Sequence, residues 1–190
     1  MANVYDVGQY IIELVPGVGK MKLYKLCYFS QGWSLAWTGR PLFREPLQAW
    51  AKGPVPVALW NRSESASNHG ATPDIPSGDS KNLTTAERHA IESVVTFYKN
   101  RSSTELSEMS HGKAWKEARR DTLEKAPCQE ELSVTTMREE FTELLHSTPN
   151  VPSVPTEIST SEKFSLETAL AVATKVEKTW NGSLTLLATR

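Results

Sequence analysis

Four histidines (His69, His89, His111 and His146) and two cysteines (Cys27 and Cys128) are the side chains of this 190-residue chain best suited to nucleophilic or metal chemistry. A metal site needs such ligands at short, recurrent spacings, and no two of these six share a turn or a hairpin. The stretch "PGVGKMK", residues 16–22, offers Gly17, Gly19 and Lys20 but not the Gly-x-x-x-x-Gly-Lys spacing that cradles phosphate. No Gly-x-Ser-x-Gly elbow occurs. His111, inside "SHGKAW", is the histidine worth weighing; it reads as a ring that caps a short helix or bonds a buried amide. His69 reads as solvated. No catalytic constellation can be assembled, so the chain reads as a non-enzyme with no cofactor and no metal.

The bulk numbers narrow the partners. Lys and Arg total 21 against 22 Asp and Glu, so no strong field selects nucleic acid or an anionic membrane. Lys113, Lys116 and Arg120, with Arg119 beside them, read as a solvated stripe; its second use would be steering an acidic protein. Two isolated cysteines suit a reducing cytosol. "MANVYDVGQYIIELV" lacks the basic and apolar regions of a signal peptide, and no apolar run is long enough to span a membrane. The expectation is a cytoplasmic protein.

The elements that must position any site are mostly helical. Asp6 reads as an N-cap, followed by Val7, Tyr10, Ile11 and Leu14 on one face, with Pro16-Gly17 ending the helix. A second helix from about Lys20 to Trp37 has two adjacent apolar stripes, which predicts packing on most sides. Its Gln31 is a buried amide that must find partners. Leu47, Ala49 and Ala51 alternate with polar or aromatic neighbours, so a small extended segment is expected at 46–52, then a turn at Gly53-Pro54 and a brief helix through Leu59 and Trp60. Residues 61–82, rich in Ser, Gly, Pro and Asn, read as a mobile loop. Thr84-x-x-Glu87 opens a helix that buries Ala90, Ile91, Val94, Val95 and Tyr98; Ser103 caps a short one, and another runs from Lys113 to Leu123. Thr136-x-x-Glu139 caps a further helix with Met137, Phe141, Leu144 and Leu145 as its face. Residues 146–163 form a Pro/Ser/Thr-rich linker, and 164–190 an amphipathic helix and tail.

Three blocks, "KMKLYKLCYFSQGWSLAWTGRPLF", "QAWAKGPV" and "TELSEMSHGKAW", resemble the Panacea domain, a family also described as GepA-like phage-associated proteins. The shared pattern falls on Lys22, Leu23, Lys25, Leu26, Tyr28, Gln31, Gly39, Leu42, Phe43, Ala49, Trp50, Gly53, Pro54, Val55, Leu106, Ser107, His111 and Trp115. It covers about residues 4–145. The resemblance implies a compact, mainly α domain over 1–145 and an antitoxin function: direct binding to a cognate protein toxin that blocks its active or substrate-docking site. Toxins of this family's members include nucleotide-transferring translation inhibitors, and some members instead deliver the toxin to a protease. An enzyme that reverses the toxin's modification is the third reading, and a homo- or hetero-oligomer with the toxin fits the first.

A standard interface of about 1,600 Å² centred on aromatic anchors supports tight binding. The expected anchors are Trp50 and Val55 beside Gly53-Pro54, then Trp115, and Leu166, Leu170 and Trp180 in the last helix. Gln31, Gly53, Pro54 and His111 are expected to shape the site.

Overall fold

A computed structural model describes residues 2–63, 72, 74–123, 125–156 and 158. Residues 1–155 form one compact unit. The expected final helix, with Leu166, Leu170 and Trp180, lies outside the described residues, as does His69.

Helix α1 spans Val4–Leu14 and α2 spans Lys20–Thr38. Asn3, not Asp6, caps α1: its side chain accepts from the Asp6 backbone N–H at 2.8 Å. Asp6 instead turns its buried carboxylate outward from the helix axis, accepting from Asp79 N at 2.8 Å and from Asn82. That anchor, with Ile75 only 3 % exposed, ties the later part of the 61–82 stretch to α1.

Helix α2 is the hub. Fourteen of its nineteen residues are buried, which is the all-round packing its two stripes predict. Gly39, at φ 67°, closes it in the left-handed conformation. Its aromatic residues make the core. Phe29 stacks on Tyr98 at 4.3 Å, Trp33 stacks on Trp37 at 5.8 Å, and the Trp33 Nε1–H donates to Tyr98 Oη at 3.1 Å. Gln31 finds its partners in the following loop. Its Oε1 accepts from the Leu42 and Phe43 backbone N–H groups at 2.8 and 3.1 Å, and its Nε2 donates to the Phe43 carbonyl at 3.0 Å. The amide thus does for residues 42–43 what a neighbouring strand would do.

Strand β1, Leu47–Gln48, pairs antiparallel with β2, Val55–Pro56, in the register Leu47↔Pro56 and Gln48↔Val55. On its other edge Ala49 N donates to Glu130 O and Leu132 N to Leu47 O. The extended segment is therefore shorter than 46–52, because Trp50 N already turns back onto Gln48 O.

Helices α3 (Val57–Ser63), α4 (Thr85–Tyr98), α5 (Ser103–Met109), α6 (Lys113–Ala118) and α7 (Val134–Ser147) complete the unit. The Thr84/Glu87 capping box and all five expected buried residues of α4 are present. One residue separates expectation from structure at α5, where Ser102 and Glu105 form the box. Helix α6 stops five residues early, since Arg119 leaves the helical path to bind the carbonyl of Ala49, just after β1, and carbonyls of the next loop. Helix α7 starts two residues before the expected cap: Ser133 accepts from Thr136 N, and Glu139 is free to pair with Lys113 at 2.8 Å. Met137 and Phe141 are buried, whereas Leu144 is 37 % exposed.

Candidate functional site

The Gly53-Pro54 turn is held from beneath by α2 and α5. Gly53 has φ 93°, and a Cβ there would stand 2.3 Å from Ser110 Oγ and 2.9 Å from Lys25 Nζ. Both the backbone conformation and the space therefore demand glycine. Lys25, in mid-α2 and 1 % exposed, donates from Nζ to the Pro54 carbonyl at 2.8 Å. Burial pushes its ammonium down to about 7. Ser107 donates to Lys52 O, and Ser110 donates to Ser107 O, each at 2.7 Å.

The turn presents an aromatic group. Trp50 is half-buried and meets Trp60 edge to face at 5.2 Å, while its Nε1–H donates to Gln48 Oε1 at 2.9 Å. The Trp50 carbonyl accepts from Trp115 Nε1–H at 2.9 Å. Trp115 stacks on His111 at 3.9 Å and lies 5.0 Å from the Arg119 guanidinium carbon. Arg119 is 4 % exposed, not part of a solvated stripe, and donates to the carbonyls of Ala49, Leu123 and Ala126.

Helix α6, which carries Trp115, has a cap from a distant residue. Gly112 offers no side chain, and Glu140 of α7 fills the gap: Oε2 accepts from Ala114 N at 2.7 Å and Oε1 accepts from Tyr28 Oη at 3.2 Å. A Cβ on Gly112 would collide with that carboxylate at 1.9 Å. Burial raises the Glu140 carboxyl above its ordinary value, against the lowering effect of these two bonds. An acid whose folded value is raised contributes stability below its unfolded value and loses it as pH rises through the folded one. Glu140→Gln should therefore gain stability relative to wild type between pH 4.5 and 7.5 in paired denaturant titrations. Glu140→Ala, which strands Ala114 N and Tyr28 Oη, should cost about 2 kcal/mol at pH 4.5 and less at pH 7.5, because it too lacks the titrating carboxyl.

Trp50, Gly53, Pro54, Val55, His111 and Trp115 thus come together, though Val55 and Trp115 are only 6 % and 7 % exposed and face inward. Gln31 is not among them; it organises residues 42–43. Lys25, Trp60, Ser110, Arg119 and Glu140 belong to the assembly and escaped the sequence reading. Lys25 and Ser107 did stand in the recurring blocks, which was the available signal. Among the described residues no group of three His, Cys, Asp or Glu could hold a metal ion, and no helix is long and apolar enough to cross a membrane.

The three sequence blocks therefore converge in space on one turn. No curated protein and no solved structure matches the chain. A family model does: the one described as antitoxin SocA-like, Panacea domain, matches residues 23–116, from α2 into α6. That span holds Lys25, the Gly53-Pro54 turn, Ser110 and Trp115, but not Glu140. Residues 23–116 of this chain are a Panacea domain of the SocA-like antitoxin family.

Proposed function

We propose that this chain is the antitoxin of a bacterial or phage type II toxin–antitoxin pair, acting in the cytoplasm by covering its cognate toxin's active or substrate-docking site. The observation that carries this reading is the half-buried Trp50–Trp60 pair at the rim of a turn fixed from below. Two large rings held in one geometry before contact lose little conformational freedom on binding, which is the property of an interface anchor. Trp115 supports Trp50 from within through its bond to the Trp50 carbonyl, the buried Val55 pairs with Gln48 two residues before Trp50, and Lys52 two residues on is exposed. We place domain limits at 1–145 for this binding unit, with 146–163 as linker and 164–190 as an additional segment.

Co-expression with the product of the neighbouring gene, followed by pull-down and titration, tests the proposal. The expected result is a lasting complex whose inhibition saturates at a fixed ratio. Toxin loss that requires a protease, or silencing at substoichiometric amounts, would overturn it. Within that complex, Trp50→Ala should raise Kd by roughly thirtyfold, equivalent to about 2 kcal/mol. Its backbone carbonyl, and so the Trp115 bond, survives the substitution, and circular dichroism should report an unchanged fold.

A further inference from the structure

Lys25 enters the binding reading only as a support of the Gly53-Pro54 turn. Its side chain is among the largest that are fully buried, and its amine reaches one carbonyl, that of Pro54. The groups facing it are few. The turn supplies Gly53 and the Pro54 carbonyl, and the end of α5 supplies the Ser110 hydroxyl, already committed to Ser107 O. On α2 itself, Lys22 one turn back donates to Lys99 O, and Tyr28 one turn on is bonded to Glu140 of α7. Glu140 is in turn committed to Ala114 N, while Glu105 and Glu108 of α5 and Lys52 of the turn point to solvent. On α1, Asp6 is occupied by the 79–82 turn, and Glu92 on α4 is bonded by Tyr10. Among the described residues no acid offsets the burial of this amine, and desolvation lowers its pKa.

A buried ammonium without a counter-ion gains most from any motion that lets water reach it. Lys25 sits in mid-α2, so the helix cannot release it cheaply. The turn above can move more easily: its backbone is closed by Gly53 N to Trp50 O at 2.9 Å and a two-residue ladder. What else seats it are side-chain bonds, from Ser107 to Lys52 O, Trp115 to Trp50 O and Lys25 itself to Pro54 O. Segments with so few backbone bonds open at lower free energy than the elements they rest on. We propose that Lys25 is a proton-linked latch, with the Gly53–Pro54–Val55 turn seated over its neutral amine and lifted when that amine takes up a proton and hydrates.

The sign follows from linkage. In the lifted state Lys25 recovers its ordinary value of 10.5, and in the seated state it titrates at about 7. Between those limits the lifted state binds the extra proton, so its population falls about tenfold for each pH unit upward. Below pH 7 both states are protonated and the dependence vanishes. The Trp50 rim would therefore be least mobile on the alkaline side of neutrality. The latch concerns the same turn that carries Trp50, but it is read on the free protein and the antitoxin reading on the complex, so either can fail with the other intact.

Amide hydrogen exchange of the free, full-length protein between pH 7 and 9 tests it, together with the NMR titration of the Lys25 Cε resonance. The chemical exchange step accelerates about tenfold per pH unit, so a lift that declines by the same factor cancels it. The Gly53 and Val55 amides should exchange at a nearly constant rate, while those of α4 climb tenfold per unit, and Lys25 Cε should titrate near 7. Lys25→Met should restore the ordinary climb at Gly53. Should that variant not fold, the two wild-type readouts decide. Turn amides that climb in step with α4, flattening shared by every slow amide, or a Cε midpoint above 9 would each overturn the latch.

Discussion

Phe141→Ala should destabilise the 1–155 unit by roughly 4 kcal/mol, seen as a lower denaturant midpoint at unchanged slope. The ring is 1 % exposed and stands edge to face against Tyr28, Phe29 and Trp33 at 5.5, 6.3 and 5.3 Å. Truncation removes the partner of three aromatics at once and leaves a cavity their stiff rings cannot fill. The same contact makes Gly32 necessary. A Cβ there would lie 2.3 Å from the Phe141 ring, so α2 and α7 cross as closely as they do because Gly32 has no side chain. Gly32→Ala alone should cost about 2 kcal/mol by overpacking. In the Phe141→Ala background the new methyl enters the vacated space, and the cost should nearly vanish. A cycle that proved additive would place the ring elsewhere.

Arg119→Met should cost roughly 3 kcal/mol and loosen the candidate contact surface beyond what the loss of stability accounts for. The guanidinium donates to Ala49 O at 2.7 Å and to Leu123 O and Ala126 O at 2.8 Å, joining the residue after β1 to the chain that follows α6. Methionine keeps much of the apolar volume beside Trp115 but leaves those carbonyls without that donor, and bonds to charged groups are worth about 1.5–3 kcal/mol each without being additive. Hydrogen exchange should quicken at Ala49 and across residues 119–127 more than in α4. Equal quickening everywhere would reduce Arg119 to a general contributor to stability.

What the sequence could reveal depended on how local the cause was. The α4 capping box, its buried face, the burial of α2 and the need of Gln31 for partners were all readable, since each arises within one helical period or from one residue's chemistry. The start of α7 was misplaced because Ser133 and Thr136 are both sound caps, and the choice falls to Lys113, which engages Glu139. Arg119 and Glu140 were hidden for a different reason. Their types suggest solvent, and they are buried by partners 70 and 112 positions away in the chain. Lys25 shares that disguise. The inward orientation of Val55 and Trp115 was equally illegible, because an aromatic or β-branched residue beside a turn has the same pattern whether it meets a partner or its own core. Trp60 went unclaimed as an anchor, although it pairs edge to face with Trp50 and is equally half-buried.

The recognisable module and the folding module do not coincide. The stretch that marks the family begins inside α2 and ends inside α6, yet α1 and α7, which both pack on that central helix, lie outside it. Without α7 the hub would show water its ring of aromatics and α6 would lose its borrowed carboxylate. Grafting or exchanging this module between relatives thus means transplanting the flanks as well, and inheritance of the motif alone would hand down a signature that cannot stand up by itself.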